Sequence, residues 1–245
     1  MNIWIACVLA ENAKLKRTLA RGLVIAVPMF SLLMSLLMLV NLDTVASAKS
    51  IPLWQAYMEA LLRIWASFPL PLMATLQAVL IAQLEHANRQ CKYLLAMPVP
   101  RASLYVAKSV NLFGLMLQAH LVLWLLALAV CAGFGLAPGT MIQASGFMAH
   151  QLSATLLAAS VLTAIQLLVA IHLQSLVGSI CVGLVATLVA LFGAGTLGTA
   201  AGYFPWSMPQ HALQPVSAAW LIGALLTAVL ITALGARSMR QMQVQ

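Results

Sequence analysis

Residues 109–236 contain no Asp, Glu, Lys or Arg, a run of 128 positions. A soluble domain of that size must solvate its exterior, and it does so with charge. In lipid the requirement reverses. An unpaired charge at mid-depth costs about 2.5–3.5 kcal/mol on insertion scales. The stretch has hydrocarbon as its solvent, and the chain reads as an all-α integral membrane protein.

Crossing about 30 Å of hydrocarbon at 1.5 Å per residue takes about 20 apolar residues. The chain has 245 residues, 63% of them hydrophobic, so it has room for six spans and little else. A separate soluble catalytic domain does not fit. The apolar runs place the spans at 22–42, 64–84, 109–134, 150–171, 176–197 and 218–236. Residues 1–245 form a single membrane domain.

The net charge is +8, from 12 basic and 4 acidic side chains. The basic residues lie in short clusters beside apolar runs, which points to membrane topology and away from nucleic acid. Lys14, Lys16, Arg17 and Arg21 precede the first span. Arg89, Lys92, Arg101 and Lys108 fall between the second and third, and Arg237 and Arg240 follow the sixth. With the N-terminus inside, ten of the twelve are cytoplasmic and only Lys49 and Arg63 are outside. The positive-inside rule selects that orientation, with both termini cytoplasmic. The basic cluster precedes a full-length span, and no small-residue cleavage site follows a short apolar core, so no cleavable signal peptide is expected. Cys7, Cys91, Cys131 and Cys181 form no CxxC pair, and no internal disulfide is expected.

Within residues 1–21, positions 2–20 read as an amphipathic helix lying in the membrane interface. Trp4, Val8, Leu15 and Leu19 share its apolar stripe. Glu11 falls inside that stripe. Two readings stand open: an acid that snorkels to water, or a structural salt bridge to a basic residue of the next cytoplasmic loop, Lys108 or Arg89. The outer segment 43–63, with Trp54, Tyr57 and nearby Trp65, suits an interfacial aromatic belt. Pro69 and Pro71 predict a kink at the outer end of the second span. The short connection 172–175 predicts an antiparallel hairpin. Residues 198–216 hold three prolines and lie outside, as a segment that dips into the outer leaflet.

The large cytoplasmic feature is 85–108. It begins polar, passes an apolar turn, breaks at Pro98 and Pro100, and resumes as a helix into span three. Such a helix–break–helix can present a rigid knob to a partner, or it can be an ordinary charged loop that fixes topology. In the spans, Gln77, Asn111, Gln118 and Gln166 are candidates for interhelical hydrogen bonds or for a substrate path. His120 and His172 are the titratable groups near the later spans. Proton relays ordinarily use an Asp or Glu at such depth, so proton coupling is not expected. No GxxxxGK[ST], HExxH or GxSxG occurs, and catalysis by this chain is not expected.

The loop resembles that of ABC-2 type permeases, in particular the short permeases of lantibiotic-immunity and bacitracin-resistance transporters. The matching residues are Glu85 and His86, then Lys92, then Pro98, Val99 and Arg101, with Lys108 seven positions on. Glu11 with 14–18 (KLKRT), and Phe204-Pro205-Trp206-Ser207 with Pro209, also resemble family features. Cys91 stands where the family usually has Trp. The resemblance implies six spans with an interfacial N-terminal helix and a cytoplasmic coupling helix, as in type V exporters. It implies that Glu85, His86, Lys92, Pro98, Arg101 and Lys108 form the surface that couples to an ABC ATP-binding subunit. That subunit would bind ATP and magnesium, and this chain would hold no cofactor and no metal. A second permease subunit, identical or not, would complete the transporter in a bacterial cytoplasmic membrane. The implied activity is export of an amphipathic or antimicrobial peptide, or another hydrophobic compound, for self-protection. The alternative is a non-transporting membrane scaffold that relays the ATPase movement to an outer partner.

Overall fold

The computed structural model describes residues 3–16, 18–38, 46–47, 49–86, 101–173 and 175–241. Its helices are α1 (Ile3–Leu15), α2 (Leu19–Leu37), α3 (Leu53–Ser67), α4 (Pro69–His86), α5 (Arg101–Gly133), α6 (Pro138–His172), α7 (Leu176–Leu197), α8 (Met208–His211) and α9 (Ala218–Gln241). A 3₁₀ turn, Gly198–Tyr203, lies between α7 and α8. Among the described residues there is no strand. Six helical stretches among the described residues are long and apolar enough to cross a membrane, with α3 and α4 counted together as one.

The bundle is built around α6. Of its most apolar window 78% is buried, against 17% for α9 and 22% for α7. It packs on α4, α5 and α9, while α2 packs on α4 and α5, and α7 on α4. The exposed faces of α2, α7 and α9 carry Phe30, Phe192 and Leu230. Such faces are stable only against lipid or another apolar surface.

Several expectations are corrected. Span four starts at Pro138, twelve residues before the expected position, with proline in the first helical turn, where its missing N–H costs nothing. At about 1.5 Å per residue this 35-residue helix is about 50 Å long and projects beyond the hydrocarbon. The extension gives an aromatic of α3 something to pack on. Trp54 stands edge-on to Phe147 of that extension at 6.4 Å, while Tyr57 stands edge-on to Phe134, in the turn after α5, at 5.9 Å. Tyr57 and Trp65 are fully buried, so they belong to the core and not to an interfacial belt. The second span begins earlier too, as α3, and is interrupted at Phe68, just before Pro69. The residue before a proline is pushed out of helical conformation, and the missing proline donor leaves a gap in the ladder.

The expected helix over 2–20 is also shorter. It ends at Leu15, and Thr18 is extended before α2 begins. Its buried edge is Cys7, Glu11 and Leu15, spaced four apart, whereas Trp4 and Leu19 are exposed. The expected stripe is therefore split between two environments. Residues 198–216 include the short helix α8, which packs on α6 and α3, and Trp206, Ser207 and Met208 are buried there.

One close approach is testable. A Cβ at Gly235 of α9 would lie 2.2 Å from the ring carbon Cζ and hydroxyl of Tyr105, which α5 holds fully buried. Gly235→Ala should therefore cost about 1–3 kcal/mol of overpacking. Gly114→Ala and Gly223→Ala meet nothing within 4 Å and should be neutral. Thermal melting of the three variants in detergent checks this, and equal behaviour at all three positions would refute it.

Candidate coupling site

The chain enters the loop 87–100 from the last turn of α4, which carries Glu85 and His86, and leaves it at Arg101, the first residue of α5. Lys92 and Pro98, with Arg89, lie outside the described residues. Glu85, His86 and Arg101 are placed by their backbone alone. The structure therefore brings two helix ends to the loop, one on each side, and fully describes the first turns of α5 behind it.

Those turns are not a solvated knob. Ala102, Ser103, Leu104, Tyr105, Ala107 and Lys108 are all buried. α9 covers one flank through Gly235 against Tyr105. α1 covers the other. There Cys7 Sγ and Ser103 Oγ are 3.6 Å apart. Asn111 Nδ2 donates to the Val8 carbonyl at 3.1 Å and to the Ala107 carbonyl of its own helix at 2.8 Å.

At the centre, Lys108 Nζ donates to Glu11 Oε2 at 3.1 Å, and Lys14 bonds the other carboxylate oxygen. Lys108 is 1% exposed and Glu11 3%. Lys108, which the resemblance put in a coupling surface, is buried among the described residues. It is the buried post on which α1 is held. Burial pushes the Glu11 carboxyl up, but Lys108, followed by Lys14, outweighs it and holds the pKa below the ordinary 4.5. α1 is tied onward to α2, since Arg21 Nη2 donates to Asn12 Oδ1 at 2.8 Å. A displacement of the loop at Arg101 thus meets α1 and α9 within two turns, and α2 through α1.

Comparison with known families decides what such a bundle is. Residues 7–190, three quarters of the chain, match the family described as ABC-2 family transporter protein. The chain belongs to that family. A comparison with curated proteins finds no match. ABC-2 permeases are membrane-spanning transport subunits, not catalytic enzymes, and the family implies an ATP-binding subunit as partner. In this ABC-2 chain the match runs from α1 into α7, so it contains the loop and both turns of α5 behind it.

The amides of the spans divide by environment. Gln77 Nε2 donates to the Ala20 carbonyl of α2 at 3.3 Å, and Gln166 Nε2 to the Ser179 carbonyl of α7 at 2.8 Å. With Asn111 they join helices in pairs, each bond worth about 0.6 kcal/mol in a membrane. Gln77 Oε1 and Gln166 Oε1 are buried without a partner among the described residues. Gln118 is exposed on α5, two turns along the same face from buried Asn111. The structure does not bring these four together. His120 is buried, with Nδ1 2.8 Å from the Met116 carbonyl and Nε2 3.4 Å from Trp65 Nε1. The carbonyl requires the proton on Nδ1, and the indole N–H requires Nε2 bare. Both nitrogens are committed, as in a packed core histidine.

Sequence reasoning missed the burial of 102–108, whereas the contact of α1 with α5 through Glu11 and Lys108 was one of the readings it left open. The buried small residues Ala102, Ser103 and Ala107 were the available signal, because small side chains permit close helix approach.

Proposed function

We propose that this chain is one of two permease subunits of an ATP-driven exporter in a bacterial cytoplasmic membrane. An ABC ATP-binding subunit would dock on 85–101 and hydrolyse ATP with magnesium. Glu85, His86, Lys92, Pro98 and Arg101 would contact it, and Lys108 would carry the movement inward. The observation that carries this reading is the packing of α5 between α1 and α9 directly behind the loop. A loop that only fixed topology would need no such anchorage. Alternating access then results if ATP-driven closure of the partner tilts α5 together with α1 and α9. The substrate class best suited to an apolar bundle is an amphipathic or hydrophobic compound, with an antimicrobial peptide and self-protection as the leading case. A chain that relays the movement to an outer partner without transport is the second reading.

Purification from native membranes should bring down a P-loop ATPase. A candidate peptide should then stimulate ATP hydrolysis in liposomes, and cells lacking the chain should become sensitive to it. Purification without any ATPase would overturn the docking proposal. Docking without stimulation or sensitivity, with an outer protein retained, would leave the relay. Orientation is tested separately. An impermeant thiol reagent applied outside should label cysteine introduced at Lys49 or Gln210, and should spare cysteine at Arg101 or Gln243. Labelling at Arg101 would invert the map.

A further inference from the structure

A groove of about 460 Å³ runs between α5, α6 and α9 and opens sideways. It lies on the side of the bundle where α5 begins and where α6 and α9 end. The basic residues place that side in the inner leaflet. Val106, Phe113, Leu167 and Val229 form its apolar walls.

Four hydroxyls also face it, and all are already used. Ser109 donates to the Tyr105 carbonyl, Ser160 to Leu157, Thr163 to Ser160 and Thr232 to Ala228. A polar ligand would find little to bond, whereas a hydrocarbon chain meets no unsatisfied group. From Leu225 to Ala233 the lining rises about 12 Å at 1.5 Å per residue. One leaflet of hydrocarbon is about 15 Å deep.

The rim supplies the charge. Leu225, Val229 and Ala233 repeat every four residues along α9, and the next position of that stripe is Arg237. Arg237 is exposed and makes no ion pair among the described residues. Beside it, His172 Nε2 and Ser238 Oγ are 2.8 Å apart, which ties α6 to α9.

We infer that this groove holds one acyl chain of an anionic phospholipid of the inner leaflet, with Arg237 at its phosphate. The chain enters sideways from the bilayer, and the headgroup stays at the surface where the guanidinium meets it. The site does not depend on the export reading.

The test is retention of lipid from bilayers of equal phosphatidylglycerol and phosphatidylcholine, counted by native mass spectrometry after gentle release. The natural protein should keep phosphatidylglycerol about fivefold over phosphatidylcholine, the effect of one basic side chain at an anionic headgroup. Arg237→Gln should bring that ratio near one and leave total retention in place. Ala228→Phe from α9 and Ser109→Phe from α5 fill the groove from opposite walls. Each variant that keeps the natural helix content should lose most of the retained lipid. Unchanged retention in a folded filled variant would overturn the groove as the site. An unchanged ratio in Arg237→Gln would overturn the headgroup assignment. Disulfide cross-linking between two copies at Val229→Cys in native membranes would mean that a second copy covers the face, which also overturns the inference.

Discussion

Glu11→Gln is expected to lower the melting temperature of the detergent-solubilised protein by about 10 °C. The change keeps the side-chain shape and removes the carboxylate to which buried Lys108 and half-exposed Lys14 donate. Breaking a buried pair from one side costs about 3–5 kcal/mol, and in a chain of this size each kcal/mol moves the midpoint by about 2–4 °C. Lys14→Met breaks a pair whose cation is a third exposed, and should cost about 0–1 kcal/mol. Replacing both buried partners, Glu11→Leu with Lys108→Met, should recover most of the loss, because a buried pair is often no better than well-packed apolar groups. The pH dependence has a fixed sign. The folded carboxyl is held below 4.5, so its contribution is complete above the unfolded value and is lost as pH falls through the folded one. Melting should therefore weaken on acidification below about pH 4.5, and Glu11→Gln should remove part of that slope. A midpoint indistinguishable from the natural protein's would mean that the pair holds nothing.

The spans were legible because lipid imposes one rule on every exposed position, and a run free of charge over 109–236 satisfies it without knowledge of packing. The start of α6 was not, since 138–149 mixes Gly, Thr, Gln and Ser with apolar residues and does not look like a span. It is helical because it is covered by α3, which is a tertiary fact. Tyr57 and Trp65 were misplaced for the same reason. Aromatics near a span end suit an interface by default, and only their packing on α5, on the turn after it and on α6 makes them core. At the site, an acid on the inner edge of a short helix signals the need for a cation. Spacing alone does not separate Lys108 from Arg89, because the choice depends on where α5 emerges from the loop. The reading of Lys108 as a surface contact came from its resemblance to the family's loop. Resemblance assigns a position to a motif without saying which way its side chain turns.

Lys92→Glu combined with Arg101→Glu is expected to abolish co-purification of the ATP-binding subunit while leaving the permease inserted and its melting temperature unchanged. The two positions flank the proline break at 98–100, where docking is proposed. Reversing them sets acids against whatever carboxylates the partner presents, and like charges brought together across an interface cost several kcal/mol. Neither change should harm the fold. Arg101 is the first residue of α5, so a glutamate there meets the positive end of the helix and stabilises it by about 0.3–1 kcal/mol. Orientation should also survive, since Lys14, Lys16, Arg17, Arg21, Arg89, Lys108, Arg237 and Arg240 still outnumber Lys49 and Arg63, and acids contribute little to that rule. Lys108→Glu provides the contrast. It buries a second carboxylate against Glu11, so it should lower the melting temperature strongly, and any loss of ATPase binding would stem from the loss of fold. The two variants thus separate contact from anchorage. If the double reversal retained the ATPase subunit and its stimulation, the loop would be a topology signal, and the packing of α5 between α1 and α9 would need another purpose.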